Sequence, residues 1–221
     1  MQRSLSLVWL TALSASVISS VYIRMTQSLQ NRNFRRRSLT GCELARQVLD
    51  RAHSNRTAVT SVRGPARGHL GSALGQLALP EKIYYGNRLS DAALVFHEAA
   101  HLQSAQSLVP ISLRAPGGGV FLTLVTLAWI LILTGFLAPW GRGLQQVGQI
   151  LFLVGFAMAF ASLPEERKAT RRALSDLTLA KDFGPEEKLR IKNILNAFRW
   201  FPLAELIEAP WNVLSKPKPI S

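Results

Sequence analysis

The chain has 221 residues, which suits one domain or a small domain with membrane segments. Apolar residues make up 48% and mean hydropathy is slightly positive, which sets an ordinary soluble domain behind a membrane protein. Net charge is +13, but Lys and Arg flank apolar runs and no aromatic-interleaved basic patch stands out; this argues for anionic lipid and against nucleic acid as the partner of the charge. Cys42 is the single cysteine, so an intramolecular disulfide is excluded, in keeping with a reducing compartment.

In chain order, residues 4–23 are apolar and uncharged, and about 20 such residues span a bilayer core. They predict an uncleaved anchor, because the basic cluster follows the segment and no small-x-small cleavage site closes it. Thr40 and Glu43 form a Thr-x-x-Glu capping box that predicts a helix with Leu44, Val48 and Ala52 on one face. Residues 57–80 are rich in Gly, Ser and Val, and predict two or three short strands with turns near Gly64 and Gly71. Ser90 is placed to cap a helix running from Asp91 to about Ser107.

Residues 119–138 and 144–163 are again uncharged, and Pro139-Trp140-Gly141-Arg142-Gly143 joins them as a turn. They predict a transmembrane hairpin with Trp140 at the membrane interface. Pro185 after Gly184 opens a further helix with Glu186 and Glu187 in its first turn. Residues 189–214 are too polar and too interrupted by proline to span; they read as amphipathic pieces lying in the interface or packed on the soluble part.

Lys and Arg set the orientation. Only Arg3 precedes the first segment, whereas Arg24, Arg32, Arg35, Arg36 and Arg37 follow it. Arg142 alone lies in the hairpin link, and Arg167, Lys168, Arg171 and Arg172 follow the third segment. Three crossings of the cell membrane are therefore expected, with the N-terminus outside and both residues 24–118 and the tail on the cytoplasmic side.

The chemistry is concentrated in His97-Glu98-Ala99-Ala100-His101. Two histidines four apart share one helical face, so both imidazoles can reach one Zn²⁺ ion, and Glu98 can act as general base toward a water there. A catalytic zinc site wants a third protein ligand and an open position. Glu165 or Glu166, His69, and Asp91 or Asp176 are the candidates; the first two re-enter the cytoplasmic side as the hairpin closes. An oxyanion donor is also needed, and His69, Tyr84 and Tyr85 are available, with His69 the catalytic candidate and the tyrosines read mainly as packing. Residues 77–79 could pair with an extended substrate.

Several separated motifs give this pattern a family likeness. Thr40-Gly41-Cys42-Glu43-Leu44-Ala45, Val62-Arg63-Gly64, Tyr84-Tyr85-Gly86, the His97–His101 motif, Leu163-Pro164-Glu165-Glu166 and Arg171-Arg172-Ala173 follow one another over residues 1 to about 180. In this the chain resembles the YugP-like family of membrane-bound neutral zinc metallopeptidases, which is gluzincin-like and similar to HtpX-like peptidases. The resemblance implies Glu166 as third ligand, with Glu165 as fallback. It also implies a mainly α integral membrane protein: an anchor at 4–23, a small α+β cytoplasmic region at 24–118 carrying the zinc helix, a hairpin at 119–163, and a third-ligand helix with amphipathic C-terminal helices at 164–221. The chain departs from the family in having Ala100 in place of Gly, Arg167 and Lys168 in place of Phe and Asn, an altered segment around His69, and no strong fourth apolar segment.

The expected activity is hydrolysis of peptide bonds in membrane or cytoplasmic proteins. A protein or peptide substrate and the lipid bilayer are the expected partners, a membrane protein is a further candidate, and nucleic acid is not expected. The rival reading is an inactive membrane scaffold or adaptor that keeps a remnant of the zinc site.

Overall fold

The computed structural model describes residues 2–32, 39–63, 76–103, 119–138, 141–214 and 218–219. Trp140, the turns at Gly64 and Gly71, and residues 104–107 of the expected zinc helix lie outside them. The described residues are mostly helical and carry a small sheet. They fall into two compact units, one of Met1–Val21, Val109–Leu163 and Trp200–Ser215, the other of Tyr22–Leu108, Pro164–Arg199 and Lys216–Ser221.

In the first unit lie most of helix α1 (Gln2–Asn31), helix α5 (Gly119–Leu137), the first half of helix α6 (Arg142–Leu179), and helix α8 (Phe201–Leu214). Trp9, Phe121, Val125, Phe152 and Leu206 form its core, with the rings of Trp9 and Trp129 set edge-on to Phe152. The α5 and α6 backbones meet closely where side chains are absent: a Cβ on Gly148 would come within 2.8 Å of the Ala128 carbonyl oxygen. The Trp129 indole donates to the Leu206 carbonyl at 2.8 Å and so ties α8 to α5. Among the described residues, three helices are long and apolar enough to cross a membrane: Leu5–Asn31, Val120–Leu137 and Arg142–Leu179. Helix α8 has 14 residues, a length of about 21 Å, which falls short of the ~30 Å hydrocarbon core. Its Leu203, Leu206 and Ala209 are buried in the core of this unit.

The second unit holds helix α2 (Gly41–Arg51), strands β1 (Ala58–Arg63) and β2 (Gln76–Pro80), the short helix α3 (Glu81–Tyr84), helix α4 (Leu89–Gln103), the second half of α6, helix α7 (Pro185–Phe198) and strand β3 (Lys218–Pro219). The sheet order is β2-β1-β3; β1 runs parallel to β2 with Val59 opposite Leu77, and antiparallel to β3. The expected capping box is formed, with the Thr40 N–H donating to Glu43 Oε2 at 2.7 Å and Glu43 buried on no side, free to reach back. Leu44, Ala45, Val48 and Leu49 make the buried face of α2, while Ala52 is its C-cap.

The uncharged stretch ends at residue 163, but its helix does not: α6 passes through Pro164 to Leu179. Proline removes one backbone donor and strains the preceding turn, but the buried row Leu163, Glu166, Ala169, Thr170, Ala173 and Leu177 holds the helix on either side of it. Nor does Ser90 cap the zinc helix. Arg88 occupies the cap, since its carbonyl accepts from Asp91 and Ala92, and Ser90 lies inside the first turn.

Candidate metal centre

Helix α4 is buried almost all round: Ala92, Ala93, Leu94, Val95, Phe96, Ala99 and Ala100 are all inside. That explains why its apolar residues show no one-sided stripe. On it, His97 is completely buried, Glu98 is buried, and His101 is partly open. Helix α7 packs on α4, and its Ile191, Ile194, Leu195 and Phe198 are all fully buried. The Phe198 ring stands edge-on to the His97 imidazole with centroids 5.5 Å apart, and Phe183 tilts against Phe96 at 5.7 Å.

Glu166 comes from the second half of α6 and is 2% exposed. Four residues on, Thr170 is oriented toward the Leu195 carbonyl of α7, and one further turn and a half along, Asp176 accepts from Gln103 of α4. These ties set the carboxylate against the two histidines. The Nε2 of His97 lies 3.1 Å from Glu166 Oε2, His101 Nε2 lies 3.3 Å from the same oxygen, and the two Nε2 atoms are 3.3 Å apart.

A metal fits this donor set. A tetrahedral ion with bonds of about 2.0–2.1 Å separates its ligand atoms by about 3.3 Å, which is the side of the observed triangle. Two imidazole nitrogens and one carboxylate oxygen are also a catalytic zinc donor set, and three ligands leave a fourth position open. Burial is the first cause that pulls His97 below its ordinary pKa, against the opposing pull of Glu166, and this favours the neutral ring that a ligand must be. Partial exposure of His101 gives the triangle an accessible side.

Of the other candidates, Glu165 is half-buried and outside the triangle. Asp91 accepts from the Arg88 N–H at 3.0 Å at the start of α4, and burial pushes its carboxyl up. Asp176 is likewise raised, mainly by burial. His69 lies outside the described residues. Tyr84 is half-buried and its phenol is pushed up first by a hydrogen bond with Cys42; Tyr85 is exposed and set edge-on to it. Both tyrosines therefore belong to the turn before α4. Gly86 ends that turn: a Cβ there would overlap the Lys82 carbonyl and the Asp91 carboxylate, and its own carbonyl accepts from Gly41 N at 2.8 Å. A Cβ on Gly41 would in turn overlap the Ile83 carbonyl, so the Thr40-Gly41 and Tyr84-Tyr85-Gly86 motifs are the two halves of one close contact.

Among the departures, Arg167 and Lys168 are exposed while Glu166 is buried, so one helix separates the cations from the ligand triangle. Ala100 is fully buried, and its methyl is accommodated in the α4 core. Sequence reasoning missed Phe198, although the spacing Ile191, Ile194, Leu195, Phe198 is a helical apolar face that could have marked α7 as a wall of the site.

A family model described as "Putative neutral zinc metallopeptidase" matches residues 5–209. The protein described as "Putative membrane protease YugP" of Bacillus subtilis (strain 168) is 29% identical over 159 residues, which cover 72% of this chain and 70% of that protein. No solved structure matches the chain. With the match extending through helix α1, the His97–His101 helix and the Glu166 helix, the chain belongs to this neutral zinc metallopeptidase family, the YugP-like membrane proteases.

Proposed function

We propose that the protein is a membrane-embedded, zinc-dependent endopeptidase that cleaves membrane or cytoplasmic proteins at the cytoplasmic face. The observation that carries this reading is the triangle of His97 Nε2, His101 Nε2 and Glu166 Oε2 with sides of 3.1–3.3 Å, beside Glu98 on the same helix. His97, His101 and Glu166 would hold the zinc, which when bound would supply a Lewis acid for the scissile carbonyl and lower the pKa of a water toward 7. Glu98 accepts the proton of the attacking water and delivers it to the leaving amine. Phe198 and the apolar length of α4 keep bulk water from the His97 side. Among the described residues β2 pairs only with β1, which leaves an edge for an extended peptide.

The membrane part of the proposal is three crossings with the N-terminus outside. It is supported by three apolar helices of sufficient length and by the Lys and Arg excess after the first and third of them. His69 remains a proposed oxyanion donor.

Zinc per chain in detergent-purified protein tests the reading, beside His97→Ala and Glu166→Ala. About one zinc in the parent and loss in both variants is expected for a three-ligand site. A parent free of zinc at neutral pH without chelator would instead support the scaffold reading.

A further inference from the structure

The start of helix α4 lacks an ordinary cap. Arg88 stands at the cap position, and an arginine side chain has donors only, so it cannot accept from the free N–H groups of the first turn. Asp91 turns back to accept from the Arg88 N–H at 3.0 Å, which is one half of a capping box. The other half comes from 59 residues away. Asn31 Oδ1, at the last residue of α1, accepts from the Ser90 N–H at 3.2 Å, and Asn31 Nδ2 donates to Ser90 Oγ at 2.9 Å. The carboxamide is thereby oriented, because only its oxygen can meet a backbone N–H.

The same end of α1 is gripped a second time. Arg190 of α7 donates through Nη1 to the Gln30 and Arg32 carbonyls at 3.3 and 3.2 Å, and Glu186 holds that guanidinium at 2.8 Å. Helix α7 is also the element that sets Phe198 against His97. The terminus of α1 is thus bonded to the first turn of the helix that carries His97 and His101, and to the helix that walls His97.

We infer that Asn31 is a positioning residue for the metal centre: it supplies in trans the N-cap of the zinc helix and, with Arg190, fixes α4 against α7. The axial position of α4 decides whether two imidazoles on successive turns reach Glu166 together, and a slip of a fraction of a turn separates them by more than a metal–ligand bond tolerates. The inference rests on the zinc reading of the triangle.

The test compares parent, Asn31→Ala and Asn31→Asp in detergent, measuring Zn²⁺ affinity by chelator competition and the visible spectrum of the Co²⁺-loaded protein. Asn31→Ala is expected to weaken Zn²⁺ by about 10- to 100-fold and to alter the Co²⁺ bands, as losses behind the ligands do. Asn31→Asp keeps the acceptor and should return to within about threefold of the parent, since Asn and Asp cap equally well. Should Asn31→Ala not fold, Asn31→Leu removes the acceptor at near-constant volume and takes its place. Parent-like affinity and spectrum in the acceptor-free variant, or an Asn31→Asp variant as weak as it, overturns the inference. A parent that takes up neither metal overturns the zinc reading instead, which is a different result.

Discussion

The two units obey opposite rules for where apolar side chains go. In the second, the charged residues of α7 are outside and Ile191, Ile194, Leu195 and Phe198 are inside, as water requires. In the first, α5 buries Phe121, Val125, Ala128 and Ile132, yet Leu127, Ile130, Leu133 and Phe136 are apolar and exposed. Such a surface suits the proposed membrane crossings, in which lipid would be its solvent. In lipid no hydrophobic force would draw the helices together, and close packing such as that of Gly148 against Ala128 would have to hold them. Buried polar groups differ as well. His97 and Glu166 of the second unit meet each other from two helices, whereas Ser16 and Ser19 of the first bond to their own helix one turn back.

The largest effect should arise at Glu98, the proposed general base. Glu98→Gln is expected to lower peptidase turnover by about 10²- to 10⁴-fold while leaving zinc content unchanged, read by peptide hydrolysis and metal analysis on one preparation. Full turnover in this variant would remove Glu98 from the mechanism.

Next in size is a matched pair of truncations. Phe198→Ala deletes a fully buried ring and should cost about 3–5 kcal/mol, together with weaker zinc binding through the loss of the His97 wall. Leu133→Ala on the outer face of α5 should change stability by less than about 0.5 kcal/mol, whereas Leu133→Arg should cost about 2.5–3.5 kcal/mol if that face meets lipid. Reversible unfolding in mixed micelles measures all three. Equal tolerance of alanine and arginine at Leu133 would break the contrast between the units.

What could be read from the sequence follows the range of the interactions. The histidine pair and its helix were legible because four-residue spacing is a local property of α4. Thr40 with Glu43 was legible for the same reason. Glu166 was one of several carboxylates until the family resemblance singled it out, because it lies 65 residues beyond His101 in the chain and only tertiary packing brings it to 3.3 Å. The misreading of Ser90 has the same origin. A serine before an apolar helix is a good local cap, but Asn31 satisfies the Ser90 N–H from 59 residues away, and no local pattern announces a cap in trans. The end of the uncharged stretch at residue 163 was legible, but that its helix runs on through Pro164 was not, because the buried row beyond the proline is fixed by tertiary packing.

At the surface of the second unit, Thr40→Ala should cost about 1 kcal/mol, seen as a lower unfolding midpoint. The box also carries a pH signature. Hydrogen bonds from the Thr40 backbone and then its side chain hold the Glu43 carboxyl below its ordinary value of 4.5. Its contribution is therefore present above that value and is lost as the pH falls through the lower folded value. The stability gap between parent and Thr40→Ala should narrow without vanishing as the pH falls from about 5 toward 3, because only the bond from the Thr40 hydroxyl to the carboxylate is peculiar to the parent. A gap independent of pH would show that the Thr40 hydroxyl does not hold the Glu43 carboxylate.

The smallest effect concerns the other end of the same helix. His53 has φ of 55°, in the left-handed region, and closes α2 with a Schellman pair: its N–H donates to Asp50 O at 3.1 Å and the Ser54 N–H to Leu49 O at 2.9 Å. Glycine is the usual residue there because it has no Cβ to strain, but it also loses more chain entropy on folding. The two terms nearly offset, so His53→Gly should stabilise the second unit by less than about 1 kcal/mol. Zinc affinity should stay at the parent value, because His53 lies outside the His97, His101 and Glu166 cluster. A loss of zinc in this variant would mean that α2 and the metal helix move as one body, which would carry the cost of local strain in the second unit directly into its chemistry.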